Sequence, residues 1–129
     1  MTVRPPPVVL LLAARDSSPG TLPLAALIES GFEVTDKRHA PDPLAVARTV
    51  KPDVVLVDVP HQDAAALELC RSLQADPATK TIPIIVITGD PSIGQFMMTL
   101  GARACDATSL HLEVTRVLAD RITPPAADF

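Results

Sequence analysis

The chain has 129 residues, of which 47% are hydrophobic and 20% charged, and its net charge is −4. That is the length of one domain with enough apolar material for a single core, and the composition is globular rather than disordered. The acidic balance argues against a direct nucleic-acid partner, and the longest apolar runs, Val8–Ala14 and Ile82–Ile87, are too short to span a bilayer.

In chain order, Val8–Ala13 is a continuous apolar run of the kind a strand shows when both faces are covered. Arg15-Asp16-Ser17-Ser18-Pro19-Gly20 is loop chemistry leading into a first helix from about Thr21 to Ser30, which Gly31 ends. Phe32–Thr35 reads as a short second strand. Pro41-Asp42-Pro43 opens a second helix that reaches about Val50, with the Asp at the positive end of its dipole.

Val54–Asp58 is the third strand and delivers one carboxylate to its C-terminal end. The clearest helix is Ala64–Ala75, with Ala66, Leu67, Cys70 and Leu73 expected on its inner face. A turn over Asp76–Lys80 precedes a fourth strand, Pro83–Thr88. A helix over Ser92–Leu100 ends at Gly101, and Ala104–Ala107 is a short fifth strand. The closing helix, His111–Arg121, is expected to turn Leu112, Val114, Val117 and Leu118 inward.

Strands alternating with helices predict a parallel α/β sheet with right-handed crossovers, wound on both faces. In such sheets chemistry and binding sit at the carboxyl ends of the strands, which makes Asp58 the leading site residue. We divide the chain into an N-terminal tail (1–7), one domain (8–121) and a linker or tail (122–129). With no convincing cleavage site near the N-terminus and two isolated cysteines, Cys70 and Cys105, in apolar settings, the expected compartment is the cytoplasm and the expected thiol state reduced.

The run Pro52-Asp53-Val54-Val55-Leu56-Val57-Asp58, followed by Leu67-Glu68-Leu69-Cys70-Arg71, resembles the core of two-component response-regulator receiver domains. So do Asp76–Gly89, Gly101-Ala102 and the closing amphipathic helix, so that the resemblance covers roughly residues 8–121. It implies a flavodoxin-like, doubly wound five-stranded sheet of order 2-1-3-4-5 with five helices. It also assigns positions. Asp58 stands at the phospho-acceptor and Thr88 at the switch hydroxyl that bonds the phosphoryl oxygen.

Other positions of the family pattern are not met. Two acids after the first strand hold Mg²⁺ in active receivers. Here they fall at Ala14 and Arg15, or one residue earlier at Ala13 and Ala14, with Asp16 a weak candidate just beyond. The lysine after the fifth strand is Thr108, and the aromatic of the fifth strand is Cys105. Without hard carboxylate oxygens Mg²⁺ has little to bind, and without a lysine nothing holds the new anion. The resemblance therefore implies an atypical, pseudo-receiver variant: a signalling and protein-interaction module, not an enzyme, with no cofactor expected and no Mg²⁺-dependent phosphorylation. If Arg15 occupies a metal-ligand position, its guanidinium is a candidate partner for Asp58.

A receiver still phosphorylated at Asp58 is the near alternative. A flavodoxin-like phosphate or nucleotide module, cradling its ligand on Ser17-Ser18-Pro19-Gly20-Thr21, is the more distant one. His39, His61 and His111 have no metal-ligand spacing and read as surface residues. Phe96 and Met97 in the fourth helix form a possible partner surface. The partner would be a signalling protein, an output domain beyond Pro124-Pro125, or a second copy meeting this one through its fourth helix, fifth strand and fifth helix.

Overall fold

A computed structural model describes residues 6–13, 22–59 and 64–122. Its strands are β1 (Val8–Ala13), β2 (Glu33–Asp36), β3 (Val54–Asp58), β4 (Ile84–Ile87) and β5 (Arg103–Cys105). Its helices are α1 (Leu24–Glu29), α2 (Pro43–Val50), α3 (Ala64–Ala75), α4 (Pro91–Thr99) and α5 (Leu110–Ile122). All strand pairs are parallel and the order is β2-β1-β3-β4-β5. This is the flavodoxin-like arrangement that the resemblance implied.

The apolar runs form central strands because both of their faces find a cover. Leu10 and Leu12 of β1, Val55 and Val57 of β3, and Ile84 and Val86 of β4 face one core cluster with residues of α2, α3 and α4. The alternate residues, Val9, Leu11, Val54, Leu56, Ile85 and Ile87, join Leu27 of α1 and Leu110, Val114, Val117 and Leu118 of α5 in a second. Side chains alternate across a strand, so a run with no polar interruption can serve two cores at once.

Helix starts at the carboxyl edge of the sheet are fixed by aspartates. Asp42 accepts a hydrogen bond from Ala45 N–H, Asp90 from Ser92 N–H, and Asp106 from Ser109 N–H. Pro43 and Pro91 follow directly, in first-turn positions where a missing N–H costs nothing. At the opposite edge Gly31 and Gly101 end α1 and α4 at φ +93°, a left-handed conformation that side chains resist.

Four readings are corrected. On α3, Leu69 lies in the core beside Ala66, Cys70 and Leu73, while Leu67 is half-buried at the surface of the helix pair. On α5, Val114, Val117 and Leu118 are buried as expected, but Leu112 is 54% exposed and Leu110, one turn before Val114, takes the fourth inner position. β5 stops at Cys105 rather than Ala107: Asp106 turns the chain into a 3-10 turn over Ala107–Ser109 by accepting the Ser109 N–H. α1 begins at Leu24, with Pro23 as its flanking residue rather than inside its first turn.

Leu110→Ala should cost about 2–5 kcal/mol in urea unfolding, as for a fully enclosed leucine. Leu112→Ala should stay within about 0.5 kcal/mol, and the reverse ranking would put Leu112 rather than Leu110 on the inner face of α5.

Candidate functional site

The carboxyl edge of the sheet brings together the end of β3, the residue after β4, and the turn that leaves β2. Asp58 closes β3 and is 3% exposed. It lies opposite Ala13 of β1 on one side and Ile87 of β4 on the other. A carboxylate so enclosed needs charged or hydrogen-bonding partners to stay ionised.

Among the described residues, Arg38 is a partner. Its Nη1 donates to Asp58 Oδ2 at 3.1 Å. The other side of the guanidinium is held by Asp36, which accepts from Nε at 3.1 Å and from Nη2 at 3.0 Å, a bidentate fork on a planar group. Asp36 also accepts the Arg38 backbone N–H at 3.2 Å, which folds the turn back over the sheet edge. Lys37 N–H bonds the Leu11 carbonyl and Ala40 N–H the Lys37 carbonyl, fixing the turn at both ends. Between β2 and β3 the first strand ends in Ala13, a small side chain, so the guanidinium crosses little bulk to reach Asp58.

The electrostatics agree with this geometry. The Arg38 guanidinium holds the Asp36 carboxyl below the ordinary carboxylate range. Asp36, and after it Asp58, push Arg38 further toward its charged form. Arg38 was not among the candidates read from the sequence. The spacing Asp36-x-Arg38 signals a local turn-forming ion pair, but the reach to Asp58, two strands away, is visible only once the sheet is assembled.

Thr88 directly follows β4, is 8% exposed, and is tied to β5 by its N–H on the Cys105 carbonyl. Its hydroxyl oxygen accepts the Asp90 N–H at 3.2 Å, which leaves the O–H free to donate. Thr108 is exposed, and its hydroxyl donates to Asp106 Oδ1 at 2.7 Å. That bond is the main reason the Asp106 carboxyl lies below its usual range. The lysine position therefore holds a neutral group engaged with a helix cap.

Ala13, the earlier of the expected metal-ligand positions, contributes only a methyl group opposite Asp58. Arg15, Asp16 and His61 lie outside the described residues, as does the Ser17–Thr21 loop. Among the described residues no three of His, Cys, Asp and Glu gather closely enough to hold a metal ion. Cys105 is half-buried and Cys70 buried, and burial pushes each thiol up to about 11, so both are poor nucleophiles.

The predicted partner surface divides. Phe96 is 49% exposed, whereas Met97 is 3% exposed and belongs to the core, which corrects the expectation for that residue. Both line a groove of about 380 Å³ between α3 and α4, with Val59, Ala64, Leu67 and Ile93. His39 and His111 are exposed, and His111 Nε2 lies 2.6 Å from the Ser30 hydroxyl. No described helix is long and apolar enough to cross a membrane.

Comparison with known proteins gives a consistent result. No family model matches the chain. It is 33% identical over 82 residues to the response regulator PleD of Caulobacter vibrioides, covering 64% of this chain and 18% of that protein. It is 34% identical over 79 residues to the protein PilH of Pseudomonas aeruginosa, covering 60% of this chain and 65% of that one. The chain thus matches less than two thirds of the length of either relative. Among solved structures, a response regulator from Chloroflexus aurantiacus superposes with a TM-score of 0.68 at 25% identity, covering 88% of this chain and 98% of that one.

Replacing Arg38 with Gln should raise the Asp36 carboxyl toward its ordinary value of 3.8, as read by carboxyl-carbon NMR titration. Because folding depresses this group, its contribution to stability is complete above that value and is lost as pH falls through the lower folded value. The wild-type protein should therefore lose its advantage over the Gln variant in that acidic range. An unmoved Asp36 titration would contradict the paired geometry.

Proposed function

We propose that the chain is a receiver domain of the response-regulator type, acting in two-component signalling as an interaction module whose state is not set by Mg²⁺-dependent phosphorylation of Asp58. The observation that carries this reading is the guanidinium of Arg38 on the Asp58 carboxylate. Phosphoryl transfer to a carboxylate needs a free oxygen nucleophile and cations arranged around the phosphoryl group. Here the cation beside Asp58 is tethered to the chain, held from behind by Asp36, and set on the nucleophile itself.

The described residues do not fit the magnesium ion that the family implies. Ala13 lies opposite Asp58, a positive side chain meets its oxygen, and Thr108, the position the family register assigns to the lysine, carries a hydroxyl bonded to Asp106. No step of this reading passes through a metal. The domain works without catalysis, in the cytoplasm, and its output is a change of contact with a protein partner, whether a separate signalling protein or an output domain beyond Pro124-Pro125. Residues 8–121 form the working unit, with α5 running to Ile122. Phe96 remains the exposed candidate for a partner contact. On the face formed by α4, β5 and α5, Arg103 pairs with Glu113 at 3.0 Å within the same chain, so a homodimer there would meet charges already matched.

A second reading keeps Asp58 as a phospho-acceptor. It is favoured by Thr88, whose free O–H stands just beyond β4, the strand that pairs with β3.

Intact mass after incubation with acetyl phosphate and Mg²⁺ separates the two. Wild type is expected to gain no phosphoryl group. A gain that disappears in Asp58→Asn would establish the second reading. A gain seen only in Arg38→Ala, and lost again in the double variant with Asp58→Asn, would identify Arg38 as the block.

A further inference from the structure

Charge is not spread evenly along the chain. Between Lys37 and Lys51 stand Lys37, Arg38, Arg48 and Lys51 against the single acid Asp42, a formal +3. The whole chain carries −4, so the residues outside this segment carry −7. The segment is one structural unit: the turn after β2 and the whole of α2.

Two of its four cations are already engaged. Arg38 is held by Asp36 and Asp58, and Arg48 by Asp76. Lys37 and Lys51 are exposed and form no ion pair with a described residue. His39, also exposed, adds a third position able to carry positive charge.

Beside Lys37 lies a shallow cleft of about 290 Å³ lined by Ala45, Val46, Thr49 and Val50 of α2. Val46 and Val50 are half-buried and pack below onto the core, so the cleft floor is rigid. The Thr49 hydroxyl is committed to the Ala45 carbonyl. Filling the cleft therefore covers apolar surface without stranding a wall hydroxyl. The group left asking for a partner is the Lys37 ammonium.

We propose that the β2–α2 turn and the outer face of α2 form a docking surface for an acidic segment of a partner protein that carries aliphatic side chains between its carboxylates. Charge complementarity selects this occupant. The aliphatic groups fill the cleft while carboxylates meet Lys37 and Lys51. The −7 on the rest of the molecule repels the same segment elsewhere and orients its approach. A nucleic acid is disfavoured: the segment has no Phe, Tyr or Trp to stack a base, and the acidic remainder opposes a polyanion. The surface exists without a phosphoryl group on Asp58, so its test and that of the proposed function can fail separately.

The test is an amide chemical-shift titration of the full chain with a synthetic peptide of Leu-Glu-Glu-Leu repeats. Controls are its Glu→Lys counterpart, poly-glutamate, and vesicles containing phosphatidylglycerol. The proposal expects shifts confined to residues 37–51 with the Leu/Glu peptide. Binding should weaken severalfold as ionic strength rises past about 0.15 M, where the Debye length falls below about 8 Å. The double variant Lys37→Glu, Lys51→Glu should bind at least about tenfold more weakly, with amide shifts elsewhere unchanged to show that it folds. Equal binding of poly-glutamate would reduce the surface to bare charge and overturn the proposal. So would binding of the Glu→Lys counterpart or the vesicles in its place, shifts outside the segment, no shifts at all, or a concentration-dependent self-association through α2.

Discussion

A carboxylate buried at the end of a central strand has to be neutralised, and much of the local architecture at the carboxyl edge answers that requirement. Asp58 is delivered to its place by a strand whose four preceding residues are fully buried, so it cannot swing into water without disturbing the sheet. The desolvation cost of an isolated charge there is several kcal/mol. Arg38 supplies the compensation, and Asp36 supplies the anchor for Arg38. The turn between β2 and α2 is folded back by the same Asp36 side chain that forks the guanidinium. Four hydrogen bonds thus tie an edge strand to the centre of the sheet through one arginine.

This arrangement bears directly on switching. A phospho-acceptor gains from cations that engage the phosphoryl oxygens as transfer proceeds, because only interactions stronger in the transition state accelerate a reaction. Arg38 is already matched to the carboxylate in the resting state, and its far side is bound to Asp36. Drawing it away from Asp58 costs a charge-assisted hydrogen bond, each worth about 1.5–3 kcal/mol in mutational series. Turning the whole guanidinium costs more than one of them at once. Thr88 presents the opposite case. Its hydroxyl accepts one bond and can still donate, so Thr88 has the chemistry proposed for a switch hydroxyl, whereas the Thr108 hydroxyl is spent on Asp106.

The scaffold was legible in the sequence because the parallel sheet is encoded redundantly. β1 and β3 are apolar without interruption, and their boundaries follow from where the apolar runs stop. The aspartate caps and the turn glycines mark helix ends by local rules that tertiary structure did not override. Amphipathic faces were less legible. Leu67 and Leu69, or Leu110 and Leu112, are equally apolar, and the enclosed member of each pair is the one in helical phase with the buried residues, Leu69 with Ala66 and Leu73 and Leu110 with Val114 and Val117. β5 was overextended because Asp106 was read inside the strand, although Asp is disfavoured there and here caps the following turn through Ser109 N–H. The Asp58–Arg38 pair is the same kind of omission on a larger scale. The need for a cation near Asp58 followed from the missing lysine and acids, and the family's register pointed to Arg15, which lies outside the described residues. Arg38 becomes a donor because strand order places β2 two positions from β3 with Ala13 between them.

The turn that carries Arg38 also joins the interior of the site to its surface. Consecutive residues serve opposite sides: Arg38 is directed at Asp58, while Lys37 and His39 on either side of it are exposed. Any event that changes the charge on Asp58 changes what holds Arg38, and Arg38 lies in the most basic stretch of an acidic chain. Conversely, anything that binds the basic stretch acts on a turn whose geometry depends on Asp36 and Asp58. Coupling between two sites is reciprocal by thermodynamic necessity. Lys37 and Arg38 are neighbours in one turn closed by hydrogen bonds, so a ligand on Lys37 would sit directly beside the side chain that reaches Asp58.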